Sequence, residues 1–336
     1  MRFQVGKLPQ GLLKELLERY AVLDERVVVG PRVGEDCAVI DFGGRYLVAK
    51  TDPITFATED IAWYVVHINA NDVATMGARP MWFLCTALLP EGVAEEEVEA
   101  LFASLHRAVG ELGISLCGGH TEITYGLDRP ILVGQMLGEV ERDKLVRSDG
   151  ARPGDVILLT KGLAVEATAL LAGEFPGEVR GRFGDEFWER CRNYLKDPSL
   201  SVVPEALVAC RAGRVHAMHD PTEGGVATGL RELAYASGVG MEVWGERLFL
   251  SEDTRRLCEA FGIDPMGAIS SGALLIVVDP GDARAVLEAV RARGVACKEI
   301  GVVREASFGL KIQREGKLVD LPLFQRDEVA KLFDRT

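Results

Sequence analysis

Five short stretches of this sequence place an acidic side chain next to glycine, asparagine or threonine at the end of an apolar segment. Carboxylates from several elements are the hard oxygen ligands that suit Mg²⁺ or Ca²⁺ rather than zinc. Glycine allows backbone N–H groups to approach a phosphate closely. Together the stretches predict a site for a divalent cation and a phosphorylated ligand. They are GEDCAVID with Asp36, TDPI with Asp52, NANDVATMG with Asp72, GGHTE with Glu122 and HDPTEGG with Asp220.

Each stretch taken alone also has a structural interpretation, because caps and turns favour the same residue types. Asp220 or Thr222 could simply cap the helix that follows HDPTEGG. His120 could meet a phosphate or a metal, whereas His67 and His216 are interpreted as structural. Neither a Walker A sequence nor G-x-G-x-x-G occurs in the chain, so a bound nucleotide would use neither common loop.

The stretch containing Asp72 also raises a question of burial. Residues 59–77, EDIAWYVVHINANDVATMG, read as a helix in which Ile61, Val65 and Ile68 mark one apolar face. Asp72 is the next position along that stripe, so the helical period predicts that it points into the core. Burying an unpaired charge costs several kcal/mol or more, so Asp72 needs a partner there. That partner is a metal ion, unless Asp72 is only a buried structural acid.

The remaining elements divide the chain into two domains, residues 1–150 and 151–336. Residues 1–20 read as a short strand and an amphipathic helix, and residues 147–155, RSDGARPGD, read as a linker. Strands are predicted at 37–41, 45–51, 81–90, 114–119, 131–140, 156–160, 273–278 and 296–303. Helices are predicted at 94–113, 162–173, 185–195, 202–213, 226–238 and 283–294.

Composition narrows the class of protein. The chain has 336 residues, 48% of them hydrophobic, which is globular composition. A net charge of −13 argues against nucleic acid as a partner. The sequence contains no apolar run long enough for a membrane helix and no signal-peptide core, so we expect a cytoplasmic protein. The seven cysteines show no C-x-x-C spacing and read as buried hydrophobic residues in a reducing compartment.

In their order along the chain, GEDCAVI, TDP, NDVATMGARP, GGHTE and HDPTEGG resemble the motifs of the aminoimidazole ribonucleotide synthase-related (PurM-like) superfamily. The stretch HDPTEGGVATGLRELA is most similar to the hydrogenase maturation factor HypE. The resemblance implies an α/β (α+β) fold of two domains. The N-terminal domain would bind ATP and form a homodimer through its β-strands, and the C-terminal domain would be an α/β PurM-like domain. It also implies that Mg·ATP phosphorylates an oxygen of a small-molecule or peptidyl substrate.

The resemblance also implies roles for individual residues. Its metal positions fall on Asp36, Asp52, Asp72 and Asp220. Its ATP- and phosphate-binding positions fall on Asn71, Gly118, Gly119, Thr121, Glu122, Thr222, Gly224 and Gly225, which include a glycine-rich nucleotide loop at GGHTE. Candidate catalytic residues are Lys161, Glu166 and His120, the first two in TKGLAVEAT at the start of the second domain.

Three departures from the family pattern restrict the reaction. Thiamine-monophosphate kinase has Asp in the loop where this chain has His120. No Cys precedes Cys37, so selenide chemistry is not expected. HypE ends in a Cys that carries the group being dehydrated, whereas this sequence closes on VAKLFDRT and its last Cys is Cys297. We therefore do not expect the HypE reaction on the protein's own thiol.

Three hypotheses follow for the function. The first is an ATP- and Mg²⁺-dependent enzyme that phosphorylates an amide-type or other oxygen, with dehydration as an optional further step. The second is a non-catalytic nucleotide-binding partner or scaffold of a metalloenzyme maturation complex, in contact with a maturation factor. The third is the purine-pathway cyclisation, which GGHTE matches only in part.

Overall fold

The structure, a computed structural model, describes residue 3 and residues 8–32, 35–55 and 60–335. Contacts within the chain divide it into two compact units. The first comprises Met1–Val73 and Ala78–Leu145, and the second comprises Ala74–Gly77 and Val146–Thr336. Most of the strand expected at the start of the chain falls on residues outside the described ranges, and the helix expected after it is present.

The described part of the first unit contains a mixed sheet of six strands in the order β1-β2-β3-β6-β4-β5. Strands β4 and β5 run parallel, and the other neighbouring pairs run antiparallel. The elements are α1 (Gln10–Tyr20), β1 (Val27–Val29), β2 (Ala38–Asp41), β3 (Arg45–Ile54), α2 (Ile61–Thr75), β4 (Arg79–Pro90), α3 (Glu95–Leu112), β5 (Ser115–Thr124) and β6 (Ile131–Glu141).

Helix α2 confirms the predicted helix around Asp72 but not the predicted single apolar face. Every residue from Ile61 to Thr75 is buried, so the helix has no solvent-facing side. A helix surrounded by protein does not need an amphipathic stripe, because each of its faces is a core face. Asp72 is buried as predicted, with 5% of its surface exposed, but its polar neighbours Asn69 and Asn71 are buried as well.

The described part of the second unit contains a sheet of seven strands in the order β13-β12-β9-β11-β7-β10-β8. Strands β9 and β12 run parallel, and the other neighbouring pairs run antiparallel. The elements are β7 (Val156–Thr160), α4 (Val165–Glu174), α5 (Pro176–Phe183), α6 (Asp185–Arg192), α7 (Val203–Ala212), β8 (Val215–His219), α8 (Gly225–Ser237), β9 (Gly240–Trp244), α9 (Glu252–Phe261), β10 (Leu275–Val278), α10 (Ala283–Arg291), β11 (Cys297–Arg304), β12 (Leu310–Arg314) and β13 (Lys317–Asp320).

The central strands of the second unit's sheet are buried on both faces. Side chains alternate along a strand, so Ile157 and Leu159 of β7 join one core cluster while Leu158 joins the other. Residues of α4, α8 and α9 complete the first cluster, and residues of α7 and α10 complete the second. Two buried faces explain why β7 and β10 are continuous apolar runs rather than alternating ones.

Several elements were not predicted from the sequence, and one differs in kind. Helix α9 was missed although Ser251 caps it, accepting a hydrogen bond from the Thr254 N–H at 2.9 Å, and Gly262 ends it. Strands β9, β12 and β13 and helix α5 were also missed. The strand predicted at 114–119 continues as β5 to Thr124, so GGHTE, which the family resemblance implies is a nucleotide loop, lies within a strand that pairs in parallel with β4. None of the described helices has the length and apolar character that a bilayer crossing requires.

Candidate functional site

Three of the predicted acidic residues of the first unit surround a lysine. Lys50 and Asp52 lie two residues apart on β3, which directs both side chains to the same face of the strand. The Lys50 Nζ lies 2.7 Å from Oδ2 of Asp72 on α2 and 3.6 Å from Oδ2 of Asp52. Asp36, just before β2, also acts electrostatically on Lys50 and on Asp72. The structure therefore brings Asp36, Asp52 and Asp72 together around one ammonium group, which we call the Lys50 cluster.

The electrostatics of the Lys50 cluster are those of a buried ion pair. Burial opposes the charge on Lys50, but the carboxylates of Asp72, Asp52 and Asp36 outweigh it and raise the lysine pKa. Burial raises the pKa of Asp72 to about 6, against the opposing attraction of Lys50. The side chain of Asp52 is 40% exposed, so it opens the cluster to solvent. Within the described residues, no three His, Cys, Asp or Glu side chains are arranged to hold a metal ion.

Asn69 links the two elements that carry the cluster. Its Nδ2 donates to the backbone oxygen of Asp52 at 3.2 Å and to that of Val65 at 2.8 Å, which ties β3 to α2. Its Oδ1 is buried and has no hydrogen-bond partner among the described residues. A side chain at Gly134 would collide with Asn69, since its Cβ would lie 2.4 Å from Nδ2. Asn71, a predicted ATP-binding residue, is fully buried on the same helix.

Sequence reasoning missed Lys50 and Asn69. A signal for Lys50 was present, because a lysine two residues before a candidate ligand in a strand shares that ligand's face. Asn69 carried a weaker signal, since the stretch NANDVATMG contains two asparagines and the sequence does not show which one bonds to β3.

The predicted nucleotide residues of GGHTE occupy the exposed edge strand β5. His120 Nε2 lies 3.4 Å from Glu122 Oε2, and their side chains are 66% and 53% exposed. Gly119 is required by close packing, because a Cβ there would lie 1.9 Å from the backbone oxygen of Cys85. Gly118 has open space around it, and Thr121 is exposed like its neighbours. The structure brings these residues together on one strand, and the surroundings of His120 are solvent-exposed.

In the second unit, HDPTEGG forms the end of β8 and the loop that starts α8. Asp220 is buried, and His219 Nε2 lies 2.9 Å from Glu232 Oε2 on α8. The Gly225 N–H donates to the Thr222 backbone oxygen at 3.0 Å, and the Gly224 N–H donates to Asp327 Oδ2 at 2.7 Å. Both glycine amides are thus engaged within the protein.

Gly225 is also required by packing. Its φ is +63°, and a Cβ there would lie 2.6 Å from the backbone oxygens of Met266 and Ala268. The glycine pair that predicted a phosphate cradle is therefore explained, in this unit, by contacts of the chain with itself.

Lys161 is a buried ion-pair partner. Its Nζ lies 2.7 Å from Glu205 Oε1 and donates to the backbone oxygens of Ser199, at 3.1 Å, and Ser201, at 2.5 Å. These three contacts use all three donors of the ammonium group. Burial lowers the pKa of Lys161, and the attraction of Glu205 opposes that effect. This geometry favours a structural role for the ammonium over contact with a substrate.

Glu166 lies at the start of α4 and is 8% exposed. Burial raises its pKa to about 7, while a hydrogen bond from Ser271 opposes the rise and the charges of Asp327 and Glu223 add to it. Its Oε2 has no hydrogen-bond partner among the described residues. Neither Lys161 nor Glu166 is exposed as a group ready to meet a substrate.

Two protein-family models match most of this chain. The model for the N-terminal domain of AIR synthase related proteins matches residues 34–140, and the model for the C-terminal domain matches residues 152–312. The chain belongs to the AIR synthase related family. The match confirms the superfamily predicted from the five acidic stretches, and it spans the Lys50 cluster in the first unit and the HDPTEGG loop in the second.

Two relatives extend over most of this AIR synthase related protein. It is 31% identical over 288 residues to the carbamoyl dehydratase HypE of Cupriavidus necator, covering 82% of this chain and 78% of that protein. It is 27% identical over 334 residues to a provisionally named hydrogenase expression/formation protein of Methanocaldococcus jannaschii, covering 95% of each chain. The predicted similarity to HypE is thereby confirmed.

Solved structures share the two-domain fold. HypE in complex with ATP has a TM-score of 0.71 at 25% identity and covers 94% of this chain and 91% of that one. HypE in a HypE–HypF complex has a TM-score of 0.68 at 24% identity, covering 86% and 93%. A ThiL protein complexed with AMPPCP and TMP has a TM-score of 0.72 at 23% identity, covering 92% and 93%. The predicted PurM-like α/β fold is confirmed by these likenesses.

Proposed function

We propose that this AIR synthase related protein is an ATP- and Mg²⁺-dependent enzyme that phosphorylates an oxygen of a small-molecule or peptidyl substrate, with dehydration as a further step on an amide-type oxygen. The observation that carries the proposal is the Lys50 cluster, which gathers three carboxylates of the first unit. The relation to HypE, of which one structure was solved with ATP, supports the same activity.

The donor set of the Lys50 cluster fits Mg²⁺ in its chemistry. All three acidic ligands offer oxygen, and Mg²⁺ is usually held by a few carboxylates together with substrate phosphates. Asp72, Asp52 and Asp36 would hold the ion. Mg²⁺ bound together with ATP would neutralise negative charge on the phosphoryl group that is transferred.

The protein's own residues contribute positioning. Lys50 stabilises the ionised form of Asp72 in a buried place, so the carboxylate is ready to act as a ligand. Asn69 fixes β3 against α2, which sets the separation of Asp52 and Asp72. A rigid pair of elements suits catalysis by alignment, since phosphoryl transfer depends mainly on positioning and electrostatics. Lys161 and Glu166 are not required at the reacting atoms in this scheme.

Calorimetric titration of the full chain with Mg·ATP tests the proposal. Asp72→Asn keeps the size of the side chain and should weaken Mg·ATP binding by at least about tenfold, or ~1.4 kcal/mol. Asp143→Asn removes an exposed acid from the same unit and should bind like the wild type. If Asp72→Asn lowers the melting temperature while the affinity stays unchanged, Asp72 is only a structural acid. If the wild type does not bind Mg·ATP, the proposal fails.

A second candidate function is a nucleotide-binding partner in a metalloenzyme maturation complex. The engaged donors of Lys161 and the exposed, loosely held His120 favour it, because neither is arranged as a catalytic acid or base. HypE, a relative, was solved in complex with HypF, which supports a maturation factor as the partner. Measuring ADP formation from Mg·ATP, alone and with cell extract, separates the two functions, since sustained turnover is expected only of the enzyme.

We also propose that the protein forms a homodimer through the strands of its first unit. Support comes from β5, an edge strand with nine of its ten residues exposed, including Leu116 and Ile123. An exposed edge with apolar side chains is suited to pairing with a second copy. Sedimentation of the wild type and of Ile123→Lys tests this, because a dimer that uses β5 should dissociate in the variant.

A further inference from the structure

Residues 321–335 lie along the second unit as a strap. The Arg231 guanidinium donates to the backbone oxygens of Leu321 and Pro322 at the start of the strap. The Glu328 N–H donates to the Gly267 oxygen at 3.0 Å, and Glu328 Oε2 accepts from the Asp264 N–H at 3.2 Å. The strap is thus fixed by its backbone and by its side chains.

The strap reaches both ends of α4. Near the start of the helix, Asp327 acts electrostatically on Glu166. At the end of the helix, the Phe333 ring lies 5.7 Å from the ring of Phe175, the residue that follows α4. Between these points, Val329 and Leu332 are buried in the same core cluster as Val165 and Leu171 of the helix. Attachment of the strap and burial of the α4 face therefore occur together.

Three acids from three segments interact electrostatically near the start of α4. Glu166 comes from α4, Glu223 from the HDPTEGG loop and Asp327 from the strap. Asp327 is held by the N–H groups of Gly224, at 2.7 Å, and Val329, at 2.8 Å. Burial raises the pKa of Asp327, and these bonds oppose that rise because they are donated to a carboxylate. Glu166 Oε2, in contrast, is buried and has no hydrogen-bond partner among the described residues.

The buried Oε2 of Glu166 is unfavourable as part of a charged carboxylate, because it has no hydrogen-bond partner among the described residues. A proton neutralises the carboxylate with a single atom. It removes the repulsion from Asp327 and Glu223, and it turns a buried charge into a neutral carboxyl group. Burial, opposed by the Ser271 hydroxyl and reinforced by the two acids, raises the pKa of Glu166 to about 7.

We propose that a proton on Glu166 holds the strap of residues 321–335 against α4 and the HDPTEGG loop, and that ionisation of Glu166 loosens it. The raised pKa of Glu166 determines how closure of the strap depends on pH. The closed strap binds the proton more tightly than an open, solvated Glu166 does, so closure is favoured at low pH. Between pH ~4.5 and ~7 the opening constant should rise by up to about tenfold per pH unit, and it should level off above that range. The device does not depend on the proposed reaction, because no nucleotide takes part.

Hydrogen exchange of the full chain between pH 5 and 8, corrected for the intrinsic rate, tests the proposal in peptides from residues 321–335. Wild-type protection should fall as pH rises. Glu166→Gln, which is neutral at every pH, should keep the low-pH protection throughout. Glu174→Gln removes an exposed acid from the same helix and should behave like the wild type. Equal wild-type protection at pH 5 and pH 8, or the wild-type pH dependence persisting in Glu166→Gln, overturns the proposal.

A second variant keeps the test decisive if Glu166→Gln does not fold. Asp327→Asn retains an oxygen acceptor for the Gly224 N–H but removes one of the facing charges. It should make the total loss of protection between pH 5 and 8 smaller and end that loss at lower pH, because less repulsion lowers the pKa of Glu166 in the closed state. A pH dependence identical to that of the wild type refutes the role of the acids. If K⁺, Mg²⁺ or Ca²⁺ restores protection at pH 8, the acids hold a metal cation and the proton mechanism is wrong.

Discussion

Replacing Lys50 by methionine tests whether an internal ion pair organises the predicted metal site. The variant keeps most of the side-chain volume and removes the ammonium group that lies 2.7 Å from Asp72. At an effective dielectric constant of 20, charges at that distance attract by roughly 6 kcal/mol. The loss of this attraction is partly offset, because the variant no longer has to bury an ammonium group. The net loss of stability should be about 3–5 kcal/mol, the range for breaking a buried pair by removing one partner.

A double-variant cycle separates the ion pair from simple loss of packing. Asp72→Asn alone leaves Lys50 with Asp52, 3.6 Å away and partly solvated, so it should cost less than Lys50→Met. The double variant Lys50→Met/Asp72→Asn buries neither charge. It should recover most of the stability, since replacing a buried ion pair by neutral residues often leaves the free energy of unfolding unchanged. Urea unfolding monitored by hydrogen exchange in peptides from α2 and β3 reports on the first unit separately.

Unfolding of the same variants in the presence of Mg²⁺ tests the proposed metal site. Without the ammonium group, the three carboxylates should attract a divalent cation more strongly, so Mg²⁺ should stabilise Lys50→Met more than the wild type. At a hundredfold excess over the dissociation constant the gain is about 2.7 kcal/mol. A cost below ~1 kcal/mol for Lys50→Met, with no recovery in the double variant, would refute the ion-pair reasoning. Failure of Mg²⁺ to stabilise either protein would count against a metal site at these carboxylates.

Three further predictions concern other parts of the protein. Gly119→Ala should weaken the pairing of β4 with β5 by about 1–3 kcal/mol in urea unfolding, because the new Cβ meets a backbone oxygen at 1.9 Å, whereas Gly110→Ala at an exposed position of α3 should stabilise slightly. Lys161→Met should lower stability by about 3–5 kcal/mol and leave the Mg·ATP affinity of the folded protein unchanged, and recovery with Glu205→Gln would confirm a structural pair. Cys117, which is exposed, should be alkylated by iodoacetamide at pH 8 before any buried cysteine, as peptide mass spectrometry would show.

The slow alkylation expected of the buried cysteines has a physical cause. Burial raises the pKa of the Cys85 thiol to about 11 and of the Cys191, Cys258 and Cys297 thiols to about 12. The thiolate is the reactive form, so these groups react slowly at pH 8 even when a reagent reaches them. Labelling of Cys297 ahead of Cys117 would contradict this prediction, because it would mean that the reagent reaches the Cys297 thiol in solution.

The α2 stretch shows how far sequence patterns reached. The helix and the burial of Asp72 were predicted correctly, but from an apolar stripe that a fully buried helix does not need. The partner of Asp72 was expected to be a metal, and the structure places Lys50 beside it. No local pattern could supply this contact, because β3 and α2 meet only in the folded chain. The alternation along β3 predicts which face Lys50 shares, but not which helix covers that face.

The HDPTEGG loop shows a second limit. Two adjacent glycines before a helix are consistent with a phosphate cradle and equally with close packing. At Gly225 the contacts of Met266 and Ala268 account for the glycine, and at Gly224 the amide is bonded to Asp327, more than a hundred residues away in sequence. Only the tertiary contacts separate the two interpretations, and here each glycine has a reason that involves no ligand.

The two units neutralise buried acids in different ways, and the difference bears on function. The Lys50 cluster contains its own cation, so the carboxylates of the first unit remain ionised and assembled without a metal. The charges that raise the pKa of Glu166 are the acids Asp327 and Glu223, and in our proposal a proton neutralises it. Lys50 keeps its charge throughout, so the protonation change in its cluster belongs to Asp72, whose pKa is raised to about 6. Glu166 titrates nearby, with a pKa raised to about 7. The two sites therefore respond to pH in neighbouring ranges, and Glu166→Gln should abolish only the response of the strap.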